Sequence, residues 1–231
     1  MKTIGLLGGM SWESTAHYYR LLNQSIKEKL GGLHSAKIAM VSVDFQPLEI
    51  LMQQGKWNEC GEQLADNARK IEKAGADFLL LCTNTMHKVA GSISEAVDIP
   101  LLHIADATAE RIKAEKIQTV GLLGTKFTME DDFYTGKLRE DHGLKTIVPS
   151  LKDREIVHNV IFNELCRGIV RTESQKKYLN IIETMRDQGA EAVIAGCTEI
   201  GILVKQSDTT VVLFDTTALH VEQALSFALA G

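Results

Sequence analysis

Two short segments of the 231-residue chain place thiol and hydroxyl side chains in a row with other small polar groups. Residues 82–87 read Cys-Thr-Asn-Thr-Met-His, and residues 196–199 read Gly-Cys-Thr-Glu. Each segment follows a strongly apolar run, so each is predicted at the carboxyl end of a buried strand. Open α/β sheets bind their ligands at that end. The two segments are therefore candidate parts of a binding site.

Thr83 in the first segment and Cys197 in the second suit the removal and return of a proton α to a carboxylate. Two side chains on opposite faces of a planar carbon can take the proton from one face and return it on the other. The Cα–H of an amino acid is a very weak acid, so the carbanion needs preorganised N–H and hydroxyl donors, which both segments offer. A thiolate is a sound base when a helix dipole lowers its pKa below about 8.5, and we expect this for Cys197.

Strands and helices alternate along the chain, which predicts an α/β fold with mainly parallel sheets. Buried strands are predicted from continuous apolar runs, and helices from apolar residues at helical spacing. The predicted strands cover residues 3–7, 37–43, 77–82, 100–104, 119–123, 145–148 and 192–195. The predicted helices cover residues 13–30, 57–74, 130–139, 153–167 and 174–188, and Ile169 continues the apolar face of the fourth.

Three motifs of the first half of the chain recur in the same order in the second half, which predicts a duplicated half-domain. The matching segments are residues 4–9 (IGLLGG) with 120–125 (VGLLGT), residues 74–77 (AGAD) with 188–191 (QGAE), and residues 105–109 (ADATA) with 214–218 (FDTTA).

The duplication predicts two pseudo-twofold related α/β domains. Each is expected to hold a four-stranded, mainly parallel sheet flanked by helices, with the active site in the cleft between the domains. We expect the first domain to span residues 1–108 and to be joined by a C-terminal helix over residues 216–231. The second domain is expected to span residues 109–215.

Composition and charge exclude several classes of protein. Lysine and arginine number 25 against 30 acidic residues, a formal net charge of −5, so no overall field attracts nucleic acid or anionic membranes. The start of the chain lacks a signal-type apolar segment, so we expect a cytoplasmic protein. The four cysteines lack CxxC spacing and the seven histidines lack HxxxH spacing, so neither a disulfide framework nor a metal site is predicted. The glycine-rich turns fit neither the GxGxxG nor the P-loop pattern, which disfavours nucleotide cofactors.

The segments at residues 6–15, 82–87, 103–108 and 196–201 together resemble the aspartate/glutamate racemase family, over nearly the whole chain. The likeness is greatest to broad-specificity and L-aspartate/glutamate-type members. The resemblance implies an isomerase, a cofactor-independent two-base amino-acid racemase that binds its small-molecule substrate between two similar domains. An intersubunit surface is common in the family, so the resemblance also implies a homodimer, with no nucleic-acid or membrane partner.

Carried over residue by residue, the resemblance places Cys197 at the second catalytic cysteine. It also places Asn84, Thr85 and Thr198 at positions that bind the substrate carboxylate and amino group, and we expect Met10, Thr125 and Glu199 to complete the substrate-binding set. The sequence departs from the family at Thr83, which occupies the position of the first catalytic cysteine. Cys82 lies one residue too early, and a one-residue shift in an extended segment turns a side chain to the opposite face. A hydroxyl is a far weaker acid than a thiol, so we expect Thr83 to donate or relay a proton and racemisation to be slow or lopsided.

Four further side chains near these turns have competing interpretations. Glu199 either orients the Cys197 thiol or accepts its proton, or it is a solvated or helix-capping group. His87 is either a packed residue or a catalytic one. Asp106 and Asp215 are expected to cap helices, because each begins an Asp-x-Thr pattern.

The side-chain specificity and two other functions remain open at the level of sequence. Residues 44–54, after the second strand, contain no arginine or lysine, so the pocket is expected to admit neutral amino acids. The nearest cationic candidates are Lys56, Lys126 and Arg167. The alternatives to a racemase are a one-cysteine decarboxylase or isomerase of the same superfamily, and a non-catalytic amino-acid binding protein.

Overall fold

The computed structural model describes residues 1–230, and the chain divides into two compact units. The first unit contains residues 1–104 together with the C-terminal segment that begins at His220, and the second contains residues 105–219. Among residues 1–230, no helix combines the length and the hydrophobicity that crossing a bilayer would require.

The first unit is built on four parallel strands in the order β2-β1-β3-β4. The strands are β1 (Ile4–Gly8), β2 (Ile38–Ser42), β3 (Phe78–Leu81) and β4 (Leu101–Leu102). The helices are α1 (Trp12–Leu30), α2 (Phe45–Gln53), α3 (Trp57–Lys73) and α4 (Ala90–Ser94), with a 3₁₀ turn over Thr85–Val89. All residues of β1 and β3 are buried, which explains their continuous apolar sequences.

The second unit repeats this topology, with four parallel strands in the order β6-β5-β7-β8. The strands are β5 (Thr119–Gly124), β6 (Lys145–Ile147), β7 (Ala192–Gly196) and β8 (Val212–Asp215). The helices are α5 (Ile104–Ala114), α6 (Lys126–Glu130), α7 (Asp132–Glu140), α8 (Leu151–Asn163), α9 (Thr172–Asp187) and α10 (Ile200–Leu203), with 3₁₀ turns over Leu165–Arg167 and Gln206–Asp208. Helix α11 (Thr216–Leu229) follows β8. The predicted fold class of two four-stranded parallel sheets flanked by helices is confirmed.

Two of the predicted helices have different boundaries in the structure. Most of the segment predicted as one helix over 130–139 lies in α7, whereas Glu130 is the last residue of α6, because Asp131 is extended (φ −90°, ψ 149°) and separates the two helices. The predicted helix over 153–167 is wrong at its end. It stops at Asn163, continues as a 3₁₀ turn and closes on Gly168, whose φ of 70° suits glycine. Ile169 therefore leaves the helical face, and it is exposed.

The core of the first unit joins its central strands to α1 and α11. Tyr18, Leu22 and Ile26 recur every fourth residue along α1 and are fully buried against β1, β3 and residues of α11. The Tyr18 hydroxyl lies 2.9 Å from His220 Nδ1, and His220 Nε2 lies 2.9 Å from the Leu102 carbonyl. Since a carbonyl can only accept, Nε2 carries the proton and Nδ1 accepts from Tyr18. The core therefore holds a neutral imidazole.

This buried imidazole makes folding sensitive to acid. Burial is the main cause that lowers the pKa of His220 to about 4, so between pH 6.5 and 4 the unfolded chain binds a proton that the folded chain does not. Stability is retained above the unfolded pKa and falls as the pH drops through this window, at up to about 1.4 kcal/mol per pH unit. We expect the variant His220→Gln to lose this part of the pH dependence, measured as the free energy of urea unfolding at pH 7, 6 and 5.

His34→Gln is the matched control, because His34 is exposed. It should retain the wild-type dependence of the unfolding free energy on pH. If the unfolding free energy of His220→Gln depended on pH as steeply as that of the wild type, His220 would not be the group that titrates.

Candidate active site

The predicted site residues lie at the carboxyl ends of the two central strands in each unit. In the first unit, Met10 follows β1 and Thr83, Asn84 and Thr85 follow β3, and β1 pairs directly with β3. We call these four residues the Thr83 site. All four are buried, and Thr83 is 8% exposed. One sheet edge of the first unit therefore carries the whole of this group.

In the second unit, Thr125 follows β5, and Cys197, Thr198 and Glu199 follow β7. The strands β5 and β7 are paired up to their last residues, Gly124 and Gly196. We call these four residues the Cys197 site. All are buried, with Cys197 9% exposed and Glu199 3% exposed. The structure thus brings together the site residues of each unit at one edge of its sheet.

The turn after β1 is tied to the turn after β3 by hydrogen bonds. Gly9 has a φ of 98°, and a Cβ there would collide with the backbone of Val43, so the position requires glycine. The Gly9 N–H donates to Thr15 Oγ1 at 2.8 Å. Ser14 Oγ, in the first turn of α1, donates to the carbonyl of Cys82 at 3.1 Å. These bonds hold the start of α1 against the chain that leads into Thr83.

Cys82 belongs to the core of the first unit and not to the Thr83 site. Its side chain is fully buried in the cluster around Phe78 and Leu80, and its thiol approaches the Leu80 carbonyl at 3.9 Å. Burial raises the pKa of the Cys82 thiol far above its usual range. The one-residue shift therefore separates an inert core thiol from the buried hydroxyl that follows it.

His87 is held by the backbone on both sides of its ring. Its Nδ1 lies 2.7 Å from the Thr83 carbonyl oxygen, and its Nε2 lies 3.2 Å from the Ile104 nitrogen. Burial and two neighbouring imidazoles lower the pKa of His87 well below its ordinary value. Both ring nitrogens are used, so the packed interpretation of His87 describes its geometry.

Thr125 has a structural as well as a candidate binding role. It is the N-cap of α6, and its Oγ1 accepts from the Thr128 N–H at 3.3 Å. The adjoining Lys126 donates its N–H to His158 Nδ1 at 3.2 Å, and its ammonium lies 3.6 Å from Glu155. The turn after β5 is therefore fixed by its own helix and by α8.

Glu199 is the centre of the Cys197 site. Its Oε2 accepts from the Cys197 thiol at 3.1 Å and from the Thr198 hydroxyl at 2.6 Å. Its Oε1 lies 4.0 Å from the thiol of Cys166, which belongs to the 3₁₀ turn after α8. Glu199 is buried and makes no side-chain cap bond to α10, so neither the solvated nor the capping interpretation holds. The Glu199 carboxylate therefore lies within hydrogen-bond distance of both the Cys197 thiol and the Thr198 hydroxyl.

The expectation that the turn lowers the pKa of Cys197 is wrong. Burial, followed by the negative charge of Glu199 and the neighbouring thiol of Cys166, raises the pKa of Cys197 well above its ordinary value. The helix after this turn, α10, has only four residues, so it contributes little dipole to oppose burial. In this structure Cys197 is a thiol.

The two predicted aspartate caps have different outcomes. Asp215 accepts from the N–H groups of Thr217 and Ala218 at 2.8 and 3.2 Å, so the prediction that it caps the following helix is confirmed. The prediction for Asp106 is wrong, because it lies inside the first turn of α5. Its carboxylate instead lies 2.7 Å from His142 Nε2 and 3.0 Å from the Lys137 ammonium. Asp106 thus ties α5 to α7.

Sequence reasoning missed two contacts of these sites. Cys166 falls within the helix predicted over 153–167, whereas it lies in a 3₁₀ turn beside Glu199 and is half-buried. Ser14, which binds the Cys82 carbonyl, carries no signal in its own right, because a serine in the first helical turn is ordinary. Both contacts join residues far apart in the sequence.

Comparisons with known proteins agree over almost the whole chain. A family model described as Asp/Glu/hydantoin racemase matches residues 7–224. A broad-specificity amino-acid racemase of Bacillus subtilis is 22% identical over 235 residues, which cover 98% of this chain and 98% of that protein.

Two solved structures share both the fold and substantial sequence identity with this chain. A candidate Asp/Glu racemase from Yersinia pestis is 50% identical with a TM-score of 0.93, and the match covers 100% of both chains. An aspartate racemase homologue from Pyrococcus horikoshii is 32% identical with a TM-score of 0.86, again covering 100% of both chains. The family resemblance that the sequence motifs predicted is confirmed. The chain belongs to the Asp/Glu/hydantoin racemase family.

Proposed function

We propose that the protein racemises amino acids without a cofactor, by removing the Cα proton on one face and returning a proton on the other. Cys197 acts on one face and Thr83 on the other. The observation that carries this proposal is the buried hydrogen bond of 3.1 Å from the Cys197 thiol to Glu199. The bond joins a thiol and a proton acceptor at the carboxyl end of a central strand, which is where open α/β sheets bind their ligands.

The proton route begins at Glu199. The carboxylate accepts the hydrogen bond of the Cys197 thiol and takes its proton as the thiolate removes the proton from Cα. The electron pair of the Cα–H bond passes into the carbanion, which is stabilised by hydroxyl and amide donors of the two turns. Although burial raises the pKa of the Cys197 thiol, a bound α-ammonium close to the thiol would oppose this shift, because an opposite charge favours the thiolate. The base is then generated only when substrate is bound.

Thr83 supplies the proton for the opposite face, directly or through a water molecule. Thr83 is buried two residues after the end of β3. The strand registers and the match of residues 4–9 with 120–125 make it the counterpart of Cys197, which follows β7 directly. A hydroxyl is a much weaker acid than a thiol, so this proton transfer limits inversion. Asn84, Thr85 and Thr198 hold the substrate carboxylate and amine. Thr125 and the backbone at Met10 complete that set.

The substrates we propose are aspartate and glutamate, or a broader range that includes neutral amino acids. The segment 44–54 contains no cation, so no arginine or lysine there holds a distal carboxylate. Of the three nearest cationic side chains, Lys56 and Lys126 form ion pairs with Glu59 and Glu155. Arg167 is exposed, adjoins Cys166, and forms no ion pair with any residue in the range 1–230. Arg167 is therefore the cation best able to favour acidic substrates.

The test is solvent deuterium incorporation at Cα. The protein, treated with EDTA and with hydroxylamine to remove metals and pyridoxal groups, is incubated in D₂O with a panel of L- and D-amino acids. Loss of the Cα proton signal in NMR together with the appearance of the opposite enantiomer on chiral chromatography supports the proposal. Release of CO₂ from a disubstituted malonate would instead indicate the one-cysteine decarboxylase. Amino-acid binding by calorimetry with neither reaction would indicate a binding protein.

The role of Glu199 leads to a prediction with two opposite readouts. Glu199→Gln removes the negative charge that raises the pKa of Cys197, so that pKa should fall and alkylation of Cys197 by iodoacetamide near pH 8 should become faster. Turnover should nevertheless fall by about 100-fold, because the amide cannot take the proton. Peptide mass spectrometry identifies the alkylated cysteine, and chiral chromatography gives the turnover.

The control for this prediction is Glu140→Gln, because the Glu140 side chain is 71% exposed. It should change neither readout. If Glu199→Gln alkylated no faster and racemised at the wild-type rate, Glu199 would have no part in proton transfer.

A further inference from the structure

His87 joins the Thr83 turn to the end of the neighbouring strand. It lies in the 3₁₀ turn Thr85–Val89 and is 3% exposed. Its Nδ1 is 2.7 Å from the Thr83 carbonyl oxygen and its Nε2 is 3.2 Å from the Ile104 nitrogen. A carbonyl can only accept and a backbone N–H can only donate. The ring therefore has one compatible state, neutral with the proton on Nδ1.

These two bonds complete the set that fixes the backbone at Thr83. The Thr83 N–H donates to Leu81 at 2.8 Å, and the Cys82 N–H donates to Leu7 of β1 at 2.9 Å. Ile104 begins α5, directly after β4, so the imidazole spans the ends of β3 and β4. Because the carbonyl plane of Thr83 is held, the direction of its Cα–Cβ bond is held as well. The position of the hydroxyl thus depends on His87.

The surroundings of His87 supply no negative charge. The His103 ring, from the segment after β4, lies 4.4 Å from the His87 ring between centroids, and the His220 ring of α11 lies at 6.1 Å. On its own 3₁₀ turn, the adjoining Lys88 directs its ammonium over the Trp57 ring at 4.2 Å. No carboxylate within residues 1–230 bonds to His87. Protonation would place an N–H on Nε2, facing the N–H of Ile104, and that hydrogen bond would be lost.

We propose that His87 is a positioning residue, which in its neutral form holds Thr83 in place for proton transfer and on protonation releases it. This inference rests on the proposed role of Thr83 in racemisation. Burial and the two imidazoles act in the same direction, since both lower the pKa of His87. The rate of inversion should therefore fall as the pH drops through the lowered pKa of His87, and it should reach its full value above that pKa.

The two proton-transfer steps can be separated in D₂O, and only one of them involves Thr83. An enantiomer whose Cα proton faces Cys197 can lose that proton and regain deuterium from the same side without inverting. His87→Leu removes both hydrogen bonds and should lower inversion by about tenfold or more, because a small misplacement of a catalytic group is costly. Deuterium uptake without inversion should persist, so the ratio of exchange to inversion should rise.

His87→Gln keeps one N–H donor and one carbonyl acceptor but cannot be protonated. At pH 8 it should have the wild-type ratio of exchange to inversion. Its inversion rate should not fall as the pH is lowered, whereas the wild-type rate falls once the pH passes the lowered pKa of His87. His34→Leu, at an exposed position, is the control for histidine removal and should match the wild type.

The outcomes separate this inference from the function on which it rests. Absence of deuterium uptake in the wild-type protein contradicts the racemase proposal itself. Equal losses of exchange and inversion in His87→Leu would reduce His87 to a structural role and overturn the inference. If His87→Leu does not fold, His87→Gln decides alone, since an acid-dependent loss of inversion like that of the wild type would exclude His87 as the titrating group.

Discussion

Replacing Cys197 by alanine is expected to abolish deuterium incorporation at the substrate Cα, with a loss of at least about 1,000-fold in exchange and in racemisation. Cys197 carries the thiol that donates to Glu199 at 3.1 Å, and the other residues of the Cys197 site carry no thiol. Alanine leaves Glu199 and Thr198 in place, so substrate binding should persist. The measurement is NMR of the Cα proton in D₂O together with calorimetric titration of the same amino acid.

Cys166→Ala is the matched control, because Cys166 approaches the same carboxylate at 4.0 Å. It removes a thiol from the neighbourhood of Glu199 without removing the proposed base, so exchange should continue. Exchange that persists in Cys197→Ala, or that disappears only in Cys166→Ala, would assign the chemistry to another group.

Replacing Thr83 by cysteine is expected to raise turnover by about tenfold or more. The sequence motif implies that Thr83 stands where the family places its first catalytic cysteine, and the difference in acidity between a hydroxyl and a thiol is many pKa units in favour of the thiol. Cysteine is no larger than threonine, so the buried site can accept it. The two enantiomers have equal free energies in water, so kcat/KM must be the same in both directions. The imbalance of the wild type should therefore appear in kcat, KM and the exchange-to-inversion ratio, and Thr83→Cys should reduce it.

Thr83→Ser controls for this substitution, since it keeps the hydroxyl and removes only a methyl group. It should racemise at a rate near that of the wild type, measured by chiral chromatography in both directions. A Thr83→Cys protein that is no faster than Thr83→Ser would show that proton return at this position does not limit the reaction.

The central strands β1, β3, β5 and β7 were predictable from the sequence because they are buried on both faces, whereas β8, which is only partly buried, was not predicted. A short, continuously apolar run such as that of β3 or β7 is typical of a strand that is buried on both faces. The similarity of residues 4–9 to residues 120–125 predicts that the two units share a topology. The positions at which helices break were harder to predict from the sequence. The break at Asp131, whose backbone is extended, separates the short helix α6 from α7, and apolar spacing does not report it.

The candidate site was predictable in its residue types but not in its electrostatics. The motif at 196–199 identifies Cys197 and Glu199, but the direction of the pKa shift of the thiol depends on burial and on a contact between carboxylate and thiol. The length of α10, which decides the strength of its dipole, is also set by tertiary structure. His87 could be placed near the motif from sequence. Its second partner, Ile104, follows a different strand.

The order in which the chain is made has a consequence for the first unit. Its core includes Val221, Ala224, Leu225 and Ala228 of α11, which pack with residues of β1, β3 and α1. At the usual rates of translation, roughly 10 s separate the synthesis of β4 from that of these residues. During that interval the apolar face of β1 and β3 lacks the helix that covers it. Nascent chains stalled before α11 should accordingly be the form most prone to aggregate and to need a chaperone.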